Sequence, residues 1–104
     1  MSQSRGAQFE RALALDPAHA ASALGASTAA LQLGRPADAL AFARRALVRE
    51  PAHPAALFLA GAASWWLGQR DDAGRFFERA VALEPQNAEF RGALERFRRG
   101  TLSR

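Results

Sequence analysis

The chain has 104 residues and a formal net charge of +4; alanine is its commonest residue, and all 14 basic residues are arginine. Its length predicts a single domain, and abundant alanine and leucine, with no tyrosine, lysine or cysteine, favour an all-α fold over sheets. The absence of cysteine excludes disulfides, a thiolate nucleophile and cysteine-based metal sites.

Glycine and proline divide the chain into helices. Gly34 and Gly68 each end a helix, because glycine tolerates the left-handed conformation that stops one. Pro51 and Pro85 end two others, because the residue before a proline is pushed out of the helical region, and Pro36 marks a helix start. We predict six helices in chain order, at about 3–15, 18–33, 36–49, 54–67, 70–83 and 87–99.

The sequence also repeats itself with a period of 34 residues. Gly34 recurs as Gly68 and Pro51 as Pro85, and the register extends backwards to Pro17. Such self-similarity indicates stacked helix pairs, each of which needs a neighbour to cover its apolar face. We divide the single domain 1–104 into a half repeat, two full repeats and a capping helix, at 4–17, 20–53, 54–87 and 88–99.

Both full repeats carry residues of a known pattern. In the second repeat they are Leu57, Ala60, Gly61, Ser64, Ala73, Phe77, Ala80 and Pro85. In the first they are Ala23, Ala26, Ser27, Ala30, Ala39, Ala43, Ala46 and Pro51. On these residues the chain resembles the tetratricopeptide repeat (TPR) family, with small residues where the family pattern has a large Trp and Tyr. The resemblance implies a TPR-type helical solenoid of about six antiparallel helices.

The resemblance also implies a concave surface lined by large apolar side chains. Leu24 and Leu31 of the first repeat recur 34 positions later as Phe58 and Trp65. In TPR proteins these columns face the concave side, and a spacing of seven residues within a helix stacks them as a stripe. We predict a partner-binding trough that contains Leu24, Thr28, Leu31, Gln32, Phe58, Leu59, Ala62, Trp65, Trp66 and Arg96.

Trp65 and Trp66 are adjacent, and neighbours on a helix point about 100° apart, so a narrow buried seam does not easily hold both indoles. Trp65 replaces Leu31, so we expect it to pack partly against the chain's own helices. Trp66 replaces Gln32, so we expect it to be exposed and to anchor a partner. Burial of an indole contributes on the order of 3 kcal/mol. Burial of Trp66 in the chain's own core is the alternative interpretation.

The two ends of the chain differ in what covers them. Phe9 lies in a half repeat that has no first helix to cover it, and a second subunit is one candidate cover. At the other end, Phe90 and Leu94 form an inward apolar column, while Arg91 and Glu95 are charged as in a solvent-exposed cap.

Other polar residues do not predict catalysis. His19 and His53 occupy equivalent turns one repeat apart, which indicates solvated loop residues and not a shared metal site. Asp71 and Asp72 suit a helix start better than a metal or acid–base pair. Phosphate loops, nucleophile elbows and zinc-ligand spacings do not occur in the sequence. We expect no enzyme, no cofactor and no metal site.

Charge and hydropathy limit the partners and the compartment. The internal arginines alternate with Glu and Asp, so we expect no nucleic-acid binding. No stretch is long and apolar enough to span a bilayer, and the N-terminus lacks a secretory leader, so we expect no membrane association and a cytoplasmic location. Arginine without lysine, together with abundant alanine, indicates a bacterial genome rich in G and C.

The resemblance implies a protein–protein interaction module or adaptor, such as a scaffold or a chaperone-like protein, that binds an apolar peptide or helix of a partner in its concave groove. Some TPR domains bind acidic chaperone tails with lysine and asparagine on the concave columns. Here those columns carry Leu24, Thr28, Leu59 and Ala62, so such a carboxylate clamp is not expected. The alternative is a structural scaffold that forms a homodimer through the uncovered N-terminal helix face or the groove.

Overall fold

The structure is a computed structural model, and it describes residues 20–100. Five helices follow one another, with no strand among the described residues: α1 (Ala20–Gln32), α2 (Pro36–Arg49), α3 (Pro54–Trp66), α4 (Arg70–Leu83) and α5 (Ala88–Arg99). The predicted all-α class is confirmed, and the five helix ranges agree with the prediction to within one or two residues. The predicted helix at 3–15, together with Phe9 and His19, lies outside the described residues.

The period of 34 is also a period in backbone geometry. Gly34 and Gly68 have φ values of 73° and 77°, in the left-handed region that glycine adopts without strain. The N–H of Arg35 donates to the carbonyl of Ala30 at 2.8 Å, and the N–H of Gln69 donates to the carbonyl of Ser64 at 2.9 Å. This is the same helix-ending motif twice, and it turns the chain back from each first helix to its second.

The helix starts are capped in different ways. His53 precedes α3, and its Nδ1 accepts a hydrogen bond from the backbone N–H of Ala56 at 3.3 Å. Asn87 precedes α5, and its Oδ1 accepts from the N–H of Phe90 at 3.1 Å. His53 thus lies in the turn, as predicted, but its side chain is 24% exposed and not freely solvated, because its ring accepts from a donor that the helix leaves unpaired.

Consecutive helices pack against each other, and α1 also contacts α3, the next helix but one. The contact between α1, α2 and α3 is built mainly from small residues, as the sequence predicts. Buried alanine or serine side chains on α1, α2 and α3 include Ala23, Ala26, Ser27, Ala30, Ala39, Ala43, Ala46, Ala56, Ala60, Ala63 and Ser64. Small side chains let the helix axes approach closely. A few large apolar side chains, among them Leu57 and Phe77, are fully buried beside them.

Helices α3 and α4 also approach closely, at Gly61 on α3. A Cβ atom at that position would lie 2.8 Å from two ring carbons of Phe77 on α4. Phe77 itself is 1% exposed, so its ring fills the space that the glycine leaves. The contact joins the two helices of the second repeat.

Candidate functional site

An open groove of about 530 Å³ lies where the first helices of successive repeats come together. It draws on α1, on the start of α3, and on the turn into α5. We call it the Phe58 groove. Its lining residues are Thr28, His53, Pro54, Ala55, Phe58, Leu59, Glu84, Asn87, Glu89 and Phe90.

The floor of the Phe58 groove is aromatic and held in place from below. The ring of Phe58 stacks on the ring of Phe90, with centroids 4.9 Å apart and planes inclined by 22°. Phe58 also contacts Phe77, at 5.8 Å between centroids. Phe90 is buried, while Phe58 and its neighbour Leu59 are half-buried and keep part of their apolar surface open. This floor can receive an apolar side chain without rearrangement of the core.

The rim of the groove is acidic. Glu84 and Glu89 are exposed, and Asn87 between them donates from Nδ2 to Oε1 of Glu84 at 3.0 Å. On the other side, Nε2 of His53 lies 3.6 Å from a carboxylate oxygen of Glu50. None of the residues that line the groove is an arginine. The site therefore combines an apolar floor with two carboxylates at its mouth.

The tandem tryptophans lie at the opposite end of α3 and do not line this groove. Trp65 is 8% exposed, and its ring meets that of Phe97 edge-on at 5.5 Å. The guanidinium of Arg70 lies 5.3 Å from the Trp65 ring and 5.2 Å from the Phe97 ring. Trp66 is 41% exposed. One indole thus belongs to the core, and the other is open to solvent.

The structure brings only part of the predicted trough together. Thr28, Phe58 and Leu59 line the Phe58 groove. Leu24, Leu31 and Ala62 are half-buried and pack against the core. Gln32, Trp66 and Arg96 are exposed but lie outside the groove lining.

Sequence reasoning missed the rim of the groove. It treated His53 as a loop residue and Phe90 as part of a cap, and it assigned no role to Glu84, Asn87 or Glu89. A signal was available, because His53 and Asn87 lie 34 positions apart and each precedes the first helix of a unit. Two equivalent helix starts on one concave face place their side chains near each other.

Residues 20–100 carry neither a metal-ligand cluster nor a membrane-spanning helix. No three His, Asp or Glu side chains in that range are grouped so that they would hold a metal ion. None of the helices in the same range has the length and apolar character needed to cross a membrane.

A family model described as "Tetratricopeptide repeat" matches residues 30–97, which is more than half of the chain. The chain belongs to the tetratricopeptide repeat family. The predicted fold is thereby confirmed. None of the curated proteins matches the sequence significantly.

Solved TPR structures share the fold at low sequence identity. The first TPR of Spaghetti (RPAP3), bound to the HSP90 peptide SRMEEVD, is similar with a TM-score of 0.83 and 22% identity, over 94% of this chain and 78% of that one. The second TPR domain of human RPAP3, in complex with the HSP70 peptide SGPTIEEVD, gives 0.82 and 24%, over 89% and 78%. MamA gives 0.76 and 18%, over 97% and 68%.

Proposed function

We propose that this TPR protein is a protein-interaction module that binds an apolar segment of a partner protein in the Phe58 groove. The observation that carries the proposal is the stacked pair Phe58–Phe90, which presents a fixed apolar floor in an open concave site. Support also comes from two TPR domains of the same fold, which were solved with bound peptides. Preformed apolar clefts bordered by a few polar groups are typical of binding sites.

The apolar floor is too small to supply the whole free energy of binding. One leucine or phenylalanine side chain buried on it contributes about 1.5–3 kcal/mol. A micromolar dissociation constant requires about 8 kcal/mol. A single anchor is therefore insufficient, and a partner has to make further contacts with the rim or along α1 and α3. An extended or helical peptide provides such contacts, and an isolated small molecule of a few atoms does not.

Thr28 offers a test that leaves the core intact. It is exposed on α1 and lines the groove, so Thr28→Trp fills the site without removing a buried contact. We expect peptides selected from a random library on the wild-type protein to lose most of their affinity for Thr28→Trp in calorimetry. The control is Val48→Ala, since Val48 is 82% exposed on α2 and lies outside the groove. Equal affinity for both variants contradicts binding in this groove.

Self-association is the alternative function, and a different surface supports it. Leu33, Trp66 and Leu67 are large apolar residues that remain 37–41% exposed at the ends of the two first helices. Exposed apolar side chains of this kind favour an interface with a second copy. Light scattering over a range of concentrations separates the two functions, because a monomeric mass at the highest concentration would exclude the homodimer.

A further inference from the structure

The charge of the Phe58 groove is opposite to the charge of the whole chain. The protein carries 14 basic against 10 acidic residues, yet the groove is lined by Glu84 and Glu89 and by no arginine. From this composition, a groove would be expected to carry more arginines than carboxylates. The acidic rim is therefore a local property of the site.

The two carboxylates of the rim have no cationic partner within residues 20–100. The ion pairs in that range join Arg35 to Asp38, Arg98 to Glu78, Arg99 to Glu95 and, if it is protonated, His53 to Glu50. Glu84 accepts one hydrogen bond from the neutral amide of Asn87, which orients the carboxylate at the mouth of the groove and leaves its charge uncompensated.

Local helix stability does not account for Glu84. Glu89 lies in the first turn of α5, where a carboxylate is favourable because it faces the positive end of the helix dipole. Glu84 caps the C-terminal end of α4, where a carboxylate faces the negative end of the dipole and is unfavourable. In the preceding repeat the equivalent Glu50 lies beside an ionisable histidine, whereas Glu84 lies beside Asn87. A bound cation would supply the compensation that residues 20–100 do not give to Glu84.

We propose that the partner segment of the Phe58 groove is a basic peptide, in which an apolar side chain is flanked by arginine or lysine. This inference rests on the proposed function and specifies the partner class. The apolar side chain packs on Phe58 and Leu59, and the flanking cations form charge-assisted hydrogen bonds with Glu84 and Glu89. The aliphatic stem of an arginine or lysine also covers apolar surface while its head reaches the rim.

The same charges exclude the opposite class of ligand. The peptides bound to the two RPAP3 domains both end in Glu-Glu-Val-Asp. Such a peptide would place its carboxylates beside Glu84 and Glu89, and like charges in contact weaken binding. We therefore expect the Phe58 groove to disfavour acidic peptides of this kind.

The test uses three labelled synthetic peptides with the same central Phe-Leu pair, flanked on both sides by arginine, by serine or by glutamate. We expect fluorescence anisotropy to rank the arginine peptide first and the glutamate peptide last, with a preference that falls as salt is raised. The variant Glu84→Gln/Glu89→Gln keeps the acceptor for Asn87 but removes both charges, and we expect about three- to tenfold weaker binding of the arginine peptide.

The matched control is Glu78→Gln/Glu95→Gln, which removes two charges that are paired with arginines outside the groove. We expect it to bind the arginine peptide within about twofold of wild type, since neither carboxylate lines the groove and solvent and salt screen exposed charges at a distance. An equal loss in both double variants overturns the inference, because the effect then follows net charge and not the rim.

The remaining outcomes separate this inference from the proposed function. If all three peptides bind equally and Thr28→Trp removes them, the groove binds apolar segments but the inference about charge fails. If none of the peptides binds, both the inference and the proposed function fail. If the protein is a dimer that Thr28→Trp dissociates, a second copy occupies the groove and the basic-peptide inference is overturned.

Discussion

Phe58 on α3 stacks on Phe90 on α5 with ring centroids 4.9 Å apart, and this contact joins two helices that are not consecutive in the chain. The same contact forms the floor of the candidate binding groove. Helix α5 is therefore part of the candidate site as well as a packing partner of α4. A change in α5 is expected to alter both stability and binding.

Phe90→Ala tests this double role. Phe90 is 5% exposed, so its truncation leaves a cavity under Phe58 as well as removing apolar burial. We expect a loss of about 3–5 kcal/mol in the free energy of unfolding, measured by urea denaturation followed by circular dichroism. Phe90→Leu is the control and should lose much less. A loss below about 1 kcal/mol for Phe90→Ala would show that α5 does not depend on the stack.

Alanine substitution of two helical glycines should change the free energy of unfolding in opposite directions. At Gly61 a Cβ would lie 2.8 Å from the Phe77 ring, so Gly61→Ala overpacks the α3–α4 contact and should cost about 1–3 kcal/mol. At Gly25 on α1 the added Cβ would meet no atom of another helix within 4 Å among residues 20–100, so Gly25→Ala should gain up to about 1 kcal/mol from helix propensity. Chemical denaturation of both variants measures the difference, and a Gly61→Ala variant as stable as wild type or more stable would contradict the close packing at Gly61.

Alanine substitution of the two buried serines should also have different effects on the free energy of unfolding. Oγ of Ser27 donates to the carbonyl of Ala39 at 2.8 Å in the buried seam between α1 and α2. Oγ of Ser64 is buried and has no hydrogen-bond partner in the described part of the chain. We expect Ser27→Ala to cost about 0.5–1.5 kcal/mol and Ser64→Ala to be neutral or stabilising, because a buried unpaired hydroxyl is itself unfavourable. Thermal unfolding of the two variants checks this, and a large loss for Ser64→Ala would reveal a partner for that hydroxyl.

The helices and their stacking could be predicted because local rules decide them. Gly34 and Gly68 must end helices, and Pro51 and Pro85 cannot continue them, so the period of 34 is visible without coordinates. The position of the groove could not be predicted in the same way. It depends on the turn that brings Glu84 close to α3, and no periodic pattern of apolar residues marks a rim of carboxylates.

Arg70 should stabilise the end of α3 through two aromatic rings at once. Its guanidinium lies 5.3 Å from the Trp65 ring centroid and 5.2 Å from that of Phe97. Arg70 is exposed, and a cation–π contact at an exposed site contributes about 0.5–1 kcal/mol. We expect Arg70→Gln to lose about 1 kcal/mol in denaturant unfolding, and Arg70→Lys to lose less. Equal stability of Arg70→Gln and wild type would mean that solvent competes fully for the guanidinium.

The adjacent tryptophans should be distinguishable one at a time by fluorescence. Trp66→Phe leaves Trp65, which is 8% exposed, as the remaining emitter, and Trp65→Phe leaves Trp66, which is 41% exposed. We expect Trp66→Phe to emit at shorter wavelength and to resist quenching by acrylamide, and Trp65→Phe to emit at longer wavelength and to be quenched readily. Because the buried indole packs against Phe97, Trp65→Ala should also cost about 3–5 kcal/mol, whereas Trp66→Ala should cost much less. Equal quenching of the two single-tryptophan variants would contradict the division of these neighbours between core and surface.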